Sequence, residues 1–217
     1  MNESKEWNPY KDDNWIVHAN WAEAWTIHKI NGKKYYVAHP DLKWSIESRN
    51  FKDKNWEIDF DWAHIITSLV YDMSEMFAGA KTFNQDIGSW DTSNVENMEA
   101  MFSLAEDFNQ DIWSWNTGDV INMSYMFESA LCFNQDRSSW NVSSVTDMSY
   151  MFMVARNFNQ DISNWDVDNV KDMTWMFAYN LEFNQNLSKR EVDQVKHSSF
   201  FDEEVKNWKD RHKPKFV

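Results

Sequence analysis

Phe158-Asn-Gln-Asp-Ile-Ser-Asn-Trp-Asp-Val-Asp-Asn-Val-Lys-Asp-Met-Thr-Trp-Met-Phe177 is one copy of a unit whose opening Phe-Asn-Gln-Asp also stands at Phe83, Phe108 and Phe133. The spacing is 25 residues three times running, without an insertion. A fixed period of about 20 to 50 residues means one small unit stacked on copies of itself, so the stack rather than a pocket organises the molecule. A fifth Phe-Asn-Gln at Phe183, and a degenerate copy holding Val70, Met73, Met76 and Phe77 in their columns, extend the register. The array predicted is a solenoid of about six coils over residues 58–207.

Each column carries a conformational expectation. Val95, Met98, Met101, Phe102 and Ala105 fall at i, i+3, i+6, i+7 and i+10, which reads as the apolar stripe of a short helix. Asn94, Asp119, Ser144 and Asn169 precede successive stripes and are residue types that cap helix N-termini. In the other half, Trp90-x-Thr92, Trp115-x-Thr117 and Trp165-x-Val167 alternate with polar residues, the period of a strand. A strand and a helix in every period give an α/β repeat, a leucine-rich-repeat-like solenoid with Trp in an aliphatic position. Strands spaced about 4.8 Å apart and helices about 8 to 10 Å apart would bend it into an arc with the strands inside. The Phe, Ile, Trp, Val, Met and Met-Phe columns form the expected core, which accounts for most of the 12 Met and many of the 14 Trp.

The block from Phe158 to Phe177 resembles the repeat of the BspA-like leucine-rich-repeat surface proteins and of mycoplasma lipoproteins. The resemblance covers about two thirds of the chain. It implies surface-exposed binding proteins, at a cell surface or on a virion, often with a lipoprotein or secretion signal. This chain opens with the polar Met1-Asn-Glu-Ser-Lys-Glu, where no secretory apolar region follows, and has no window near 18 consecutive apolar residues. The expectation is a chain without a signal peptide or transmembrane segment, either retained by the cell that makes it or separated from its signal.

Residues 1–57 are not part of the repeat and are read as a Trp-rich β-rich capping domain. Trp25 to Ile30, Asn31-Gly32 and Lys33 to Ala38 predict a hairpin, because Asn-Gly takes the positive-φ conformations of a type I′ turn. A third strand is expected around Leu42 to Ile46. Trp25 to Trp44 is similar in part to a WW domain, which would imply a polyproline peptide held between Tyr36 and Trp44. The interval between the two Trp is about two residues short, however, and Ser45-Ile-Glu47 stands where that family has Pro. The alternative is a cap over the apolar end of the first coil. At the other end, Ser198 to Trp208 reads as a closing helix and residues 208–217 as a frayed basic tail.

Charge is uneven. Residues 58–207 hold 25 Asp plus Glu against 8 Lys plus Arg, net −17, while residues 1–57 balance at 9 against 9. That balance disfavours nucleic acid and favours a basic partner, a cation or simple solubility. Asp86, Asp111, Asp136 and Asp161 share one column, where unscreened neighbours about 5 Å apart would repel by about 3 kcal/mol at an effective dielectric near 20. Acceptance of backbone N–H groups by each Asp relieves this, and a shared calcium is the alternative. Asn186 continues the column without charge.

The expected concave face carries Asp91, Asn116, Asn141 and Asp166 among small polar residues. Trp113 stands where other copies have Gly88, Ser138 and Ser163, and Arg137 where they have Ile87, Ile112 and Ile162. Both are candidate partner anchors, although Arg137 is equally read as a defect whose head reaches solvent. The lone Cys132 excludes an internal disulfide framework and sits in a polar column. No metal-ligand spacing joins the six His, and no nucleophile or phosphate-cradling motif is present, so neither enzyme activity nor a metal or other cofactor is expected. The reading is a non-enzymatic interaction or adhesion module for a protein or glycan surface of basic character, without membrane insertion. The alternatives are an architectural virion or cell-surface component and a glycan- or calcium-binding array.

Overall fold

In a computed structural model, residues 65–216 and the short strands Tyr10–Lys11, Val17–His18, Ile27–Ile30 and Lys33–Val37 are described. These strands are β1 to β4, and Ile65–Ile66 is β5. β3 and β4 pair antiparallel from Ile27↔Tyr36 to Ile30↔Lys33, as expected of the hairpin. β4 then pairs parallel with β5, which ties the hairpin to the chain entering the first coil. Trp44, the third strand expected at Leu42 to Ile46 and the turn residues Asn31-Gly32 lie outside the described residues.

The body corrects the α/β expectation. Beyond β5, the described residues contain no β-strand and no α-helix, only a 3-10 turn at Asp210–His212 and parallel bridges linking Asp72, Asn97, Asn122, Asp147, Asp172 and His197. A strand–helix leucine-rich repeat is therefore ruled out, and with it the arc that unequal strand and helix spacing would impose. The ring columns advance almost equally, by 5.5 to 5.7 Å from Phe77 through Phe177 and 5.9 to 6.0 Å from Phe83 through Phe183.

The destination of the backbone N–H groups explains the difference. Met98, Ala100, Phe102 and Leu104 donate to the carbonyls of Asn122, Ser124, Met126 and Glu128 in the next coil. The intervening Met101, Ser103 and Ala105 donate three residues back, to Met98, Ala100 and Phe102. Alternate donors thus run along the stack and close turns across it, leaving none for an i to i−4 helical ladder. Ala100 (φ 51°) and Leu104 (φ 60°) are left-handed at the third position of their turns, as in a type II turn. Successive turns reproduce the apolar spacing that a helix would show.

The supposed caps work differently too. Asn94 and Asn169 donate Nδ2, and Ser144 donates Oγ, to carbonyls of the preceding coil, at Ser68, Ser143 and Gly118. An Asn column then clamps coil to coil. The N–H groups of Asn109, Asn134, Asn159 and Asn184 donate to the Oδ1 of the Asn one coil earlier, and Gln110, Gln135, Gln160 and Gln185 add Nε2 bonds to the same residue. The recurring Asn-Gln is thus the polar seam of the stack.

The apolar columns form the core as predicted: Phe108, Ile112, Val120, Met123, Met126, Phe127 and Ala130 are all fully buried. Phe102 and Phe108 lie 3.9 Å apart at 9°, and each also stacks on its copy in the next coil. Such pairs contribute about 0.5 to 1.5 kcal/mol each beyond area burial. Trp115, Trp140 and Trp165 are buried and donate Nε1 to the carbonyls of Ile87, Ile112 and Arg137, which satisfies the indole's polar atom. Ser198 to Trp208 forms turns rather than the expected helix, yet Phe201, Val205 and Trp208 still close the stack. Residues 208–216 are not frayed, contrary to the expectation for the tail. Lys213 bridges Asp202 at 2.6 Å, Leu187 N–H donates to the His212 carbonyl, and Phe216 packs edge-on against Phe201.

Candidate functional site

Asp86, Asp111, Asp136 and Asp161 form an exposed row of carboxylates along the stack. Each Oδ1 accepts the N–H two residues on, from Gly88, Trp113, Ser138 and Ser163, and Asn186 does the same for Ser188. These local turns fix the side chains. The Ser138 and Ser163 bonds hold Asp136 and Asp161 below the ordinary carboxylate range, while Asp136 pushes Asp161 the other way by like-charge repulsion. These bonds favour the charged form of Asp136 and Asp161. No group of three or more His, Cys, Asp or Glu among the described residues is arranged to hold a metal.

Trp113 rises from this row. It is 60% exposed, the most exposed large apolar residue described, and its own N–H is pinned by Asp111. At Gly88, one coil earlier in the same column, an added Cβ would stand 2.7 Å from the Asp111 carbonyl oxygen, so the backbones approach closely there. An exposed ring in a surface row of Asp side chains offers an apolar contact and a π face to a cation.

Arg137, the other predicted anchor, lies inside. Its side chain is fully buried, over Phe133 and Trp140 at 5.6 and 5.3 Å, so its head does not reach solvent and cannot touch a partner. The three guanidinium nitrogens have no hydrogen-bond partner, and the nearest carboxylate oxygen, on Asp111, is 3.8 Å away. Burial pushes its pKa down to about 10, against the pull of Asp111 and Asp136.

The remaining predicted residues are mainly structural. Asp91 is buried and accepts the Ser93 N–H. Asn116, Asn141 and Asp166 are exposed, and each Oδ1 accepts the N–H two residues on. Their small neighbours Ser114, Ser139 and Asn164 donate to carbonyls of the preceding coil, which explains why that column is so uniform. Tyr36 belongs to β4, and the pairing with Trp44 lies outside the described residues. Cys132 is exposed, in keeping with its polar column.

A surface feature was missed in the sequence. Tyr125, Tyr150, Trp175 and Phe200 occupy one column at left-handed φ of 57 to 59° and stack in succession, beginning with Tyr125 on Tyr150 at 4.3 Å. Burial, with the Tyr150 hydroxyl alongside, raises Tyr125 to about 12. The signal was the aromatic residue before Met-Phe in Tyr125-Met-Phe, Tyr150-Met-Phe and Trp175-Met-Phe. It was masked by earlier copies with Glu75 and Ala100. The rings face one another, so this ladder presents edges rather than open faces to solvent.

Stacked 25-residue coils sealed by Asn, Gln and aromatic columns define a repeat protein. Residues 47–146 and 136–213 match the family described as "Mycoplasma protein of unknown function, DUF285", and the chain belongs to that family. The match agrees with the mycoplasma-type repeat and does not extend to BspA-like proteins. No curated protein and no solved structure shows a significant match. Among the described residues, no helix is long and apolar enough to cross a membrane.

Proposed function

We propose that the protein is a non-enzymatic interaction module that takes a basic protein segment along the Asp86–Asp161 row, with Trp113 as its anchor. The observation that carries this reading is the exposed Trp113 in a column otherwise filled by Gly and Ser, next to the row of exposed Asp side chains that local N–H bonds fix in place. An exposed Trp adds nothing to the stacking of coils, whereas a central aromatic flanked by charge is the usual composition of a binding hot spot. The body's net −17 steers a cationic partner toward it. Most other polar columns are committed to coil-to-coil bonds, which supports a binding rather than a catalytic role. The family resemblance favours action at a cell or particle surface, which surface labelling of intact cells or particles would test.

Calorimetric titration with a blocked Lys/Arg-rich peptide of about ten residues tests the reading, with a Glu-rich peptide of the same length as control. Binding should be selective for the basic peptide and weaken with salt. Trp113→Ser should lower its affinity by about 30-fold, equivalent to about 2 kcal/mol, without moving the denaturation midpoint. Equal binding by wild type and variant would remove Trp113 as the anchor, and equal binding of both peptides would remove the basic partner.

A further inference from the structure

The coil that opens at Phe183 departs from its predecessors at three neighbouring columns. Asn186 replaces the Asp of the carboxylate row, Lys189 replaces Ser89, Ser114, Ser139 and Asn164, and Arg190 replaces Trp90, Trp115, Trp140 and Trp165. One negative charge is lost and two positive charges are gained. All three replacements line one largely polar cavity of about 270 Å³, which Asp161, Ser163, Gln185 and Leu187 complete. Nothing in the stacking requires this, because Leu187 and Val192 of the same coil keep their apolar columns and remain buried.

The cations at this cavity have unused bonding capacity. Neither Lys189 nor Arg190 forms an ion pair among the described residues, and Arg190 Nη2 is buried without a hydrogen-bond partner. Removal from water holds the guanidinium below its usual pKa, against the more distant pull of Asp166, Asp161 and Asp168. A guanidinium with an unpartnered Nη2 suits a carboxylate oxygen, and the neighbouring ammonium adds a second contact.

We infer that this cavity is a carboxylate-binding site, with Arg190 and Lys189 as the charge partners and Gln185, Asn186 and Ser163 as polar wall. The groups lining it amount to +1, two cations against Asp161, and Asp166 and Asp168 lower the surrounding potential further. That balance suits a singly charged carboxylate and disfavours a doubly charged phosphate. The carboxylate comes either from a free small acid or from a Glu or Asp side chain of a partner. The site lies at the far end of the carboxylate row and does not depend on the reading of Trp113.

Two-dimensional NMR titration of the full chain with sodium acetate, against sodium chloride at matched ionic strength, tests the inference. Acetate should shift the amide signals of Ser163, Gln185, Asn186 and Lys189 saturably, and chloride should not. Arg190→Trp, which restores the column residue, should abolish the saturable shift. Lys189→Ser should weaken it about tenfold, and Trp113→Ser should leave it unchanged. A blocked Gly-Glu-Gly peptide binding at least tenfold more tightly than acetate identifies a protein side chain as the source, and comparable affinities identify a free acid. A linear response equal to that of chloride overturns the proposal, as do shifts that persist in both Arg190→Trp and Lys189→Ser or phosphate bound more tightly than either carboxylate.

Discussion

Replacing Arg137 by Ile should make the protein more stable. Ile87, Ile112 and Ile162 hold the same column in other coils and are buried, so Ile fits the local geometry without strain. The guanidinium it removes is fully buried, lacks hydrogen-bond partners on all three nitrogens and sits 3.8 Å from its nearest carboxylate oxygen. A fall in pKa from 12.5 to about 10 corresponds to about 3 kcal/mol against the charged form. Exchange of buried ionic groups for well-packed apolar ones stabilises by about 1 to 4 kcal/mol. The expected gain is therefore about 2 to 4 kcal/mol, or about 5 to 10 °C in Tm for a chain of this size.

Urea denaturation should show a raised midpoint with an unchanged slope. A second arm uses pH. The folded-state pKa lies below the unfolded value, so the unfolded chain binds the extra proton and wild-type stability rises as pH passes about 10. The advantage of Arg137→Ile should be complete below that pH and shrink by about 1.4 kcal/mol at pH 11. A lowered midpoint, or an advantage that does not change between pH 9 and 11, would refute the picture of an unpaired buried guanidinium.

Trp140→Ala should destabilise by about 3 to 5 kcal/mol in the same assay, because it empties a stacked site and orphans the Ile112 carbonyl that accepts its Nε1 proton. Asn180 is buried with both amide atoms unpartnered, in the column of Ala80, Ala105, Ala130 and Ala155; Asn180→Ala should raise stability by about 1 to 3 kcal/mol, read from the shift in urea midpoint. Asp136 and Asp161 have folded pKa values below the ordinary 3.8, so their contribution is present above that pH and is lost as acid protonates them. An Asp136→Asn/Asp161→Asn double variant, which keeps the acceptor oxygens, should show a shallower loss of stability between pH 4 and 2 in an acid titration followed by circular dichroism.

The columns of the repeat were legible because burial is a property of side chains, and Phe, Ile, Trp, Val and Met recur at fixed positions. Backbone conformation was not. The spacing from Val95 to Ala105 suits a helix, yet consecutive turns place the same residues inside while their N–H groups bond to the next coil. The usual marker of left-handed turns is also missing, since Ala100, Leu104, Tyr125, Val154 and Trp175 occupy positions where Gly or Asn would signal φ above zero. Trp113 and Arg137 were both visible as departures from their columns. Only the three-dimensional path shows that the Trp113 column faces water and the Arg137 column faces the core, because both belong to a segment without helical or strand periodicity.

The coil-to-coil seam has a mechanical consequence. Adjacent coils are joined by rows of backbone and Asn-Gln bonds, while the bonds closing each turn lie within its own coil. Tension applied through the two ends of the chain should peel the terminal coil first, breaking its bonds in sequence before the next coil feels the full load. Each 25-residue unit then releases about 80 to 90 Å of extended chain, so a single molecule pulled apart would lengthen as a staircase of equal steps.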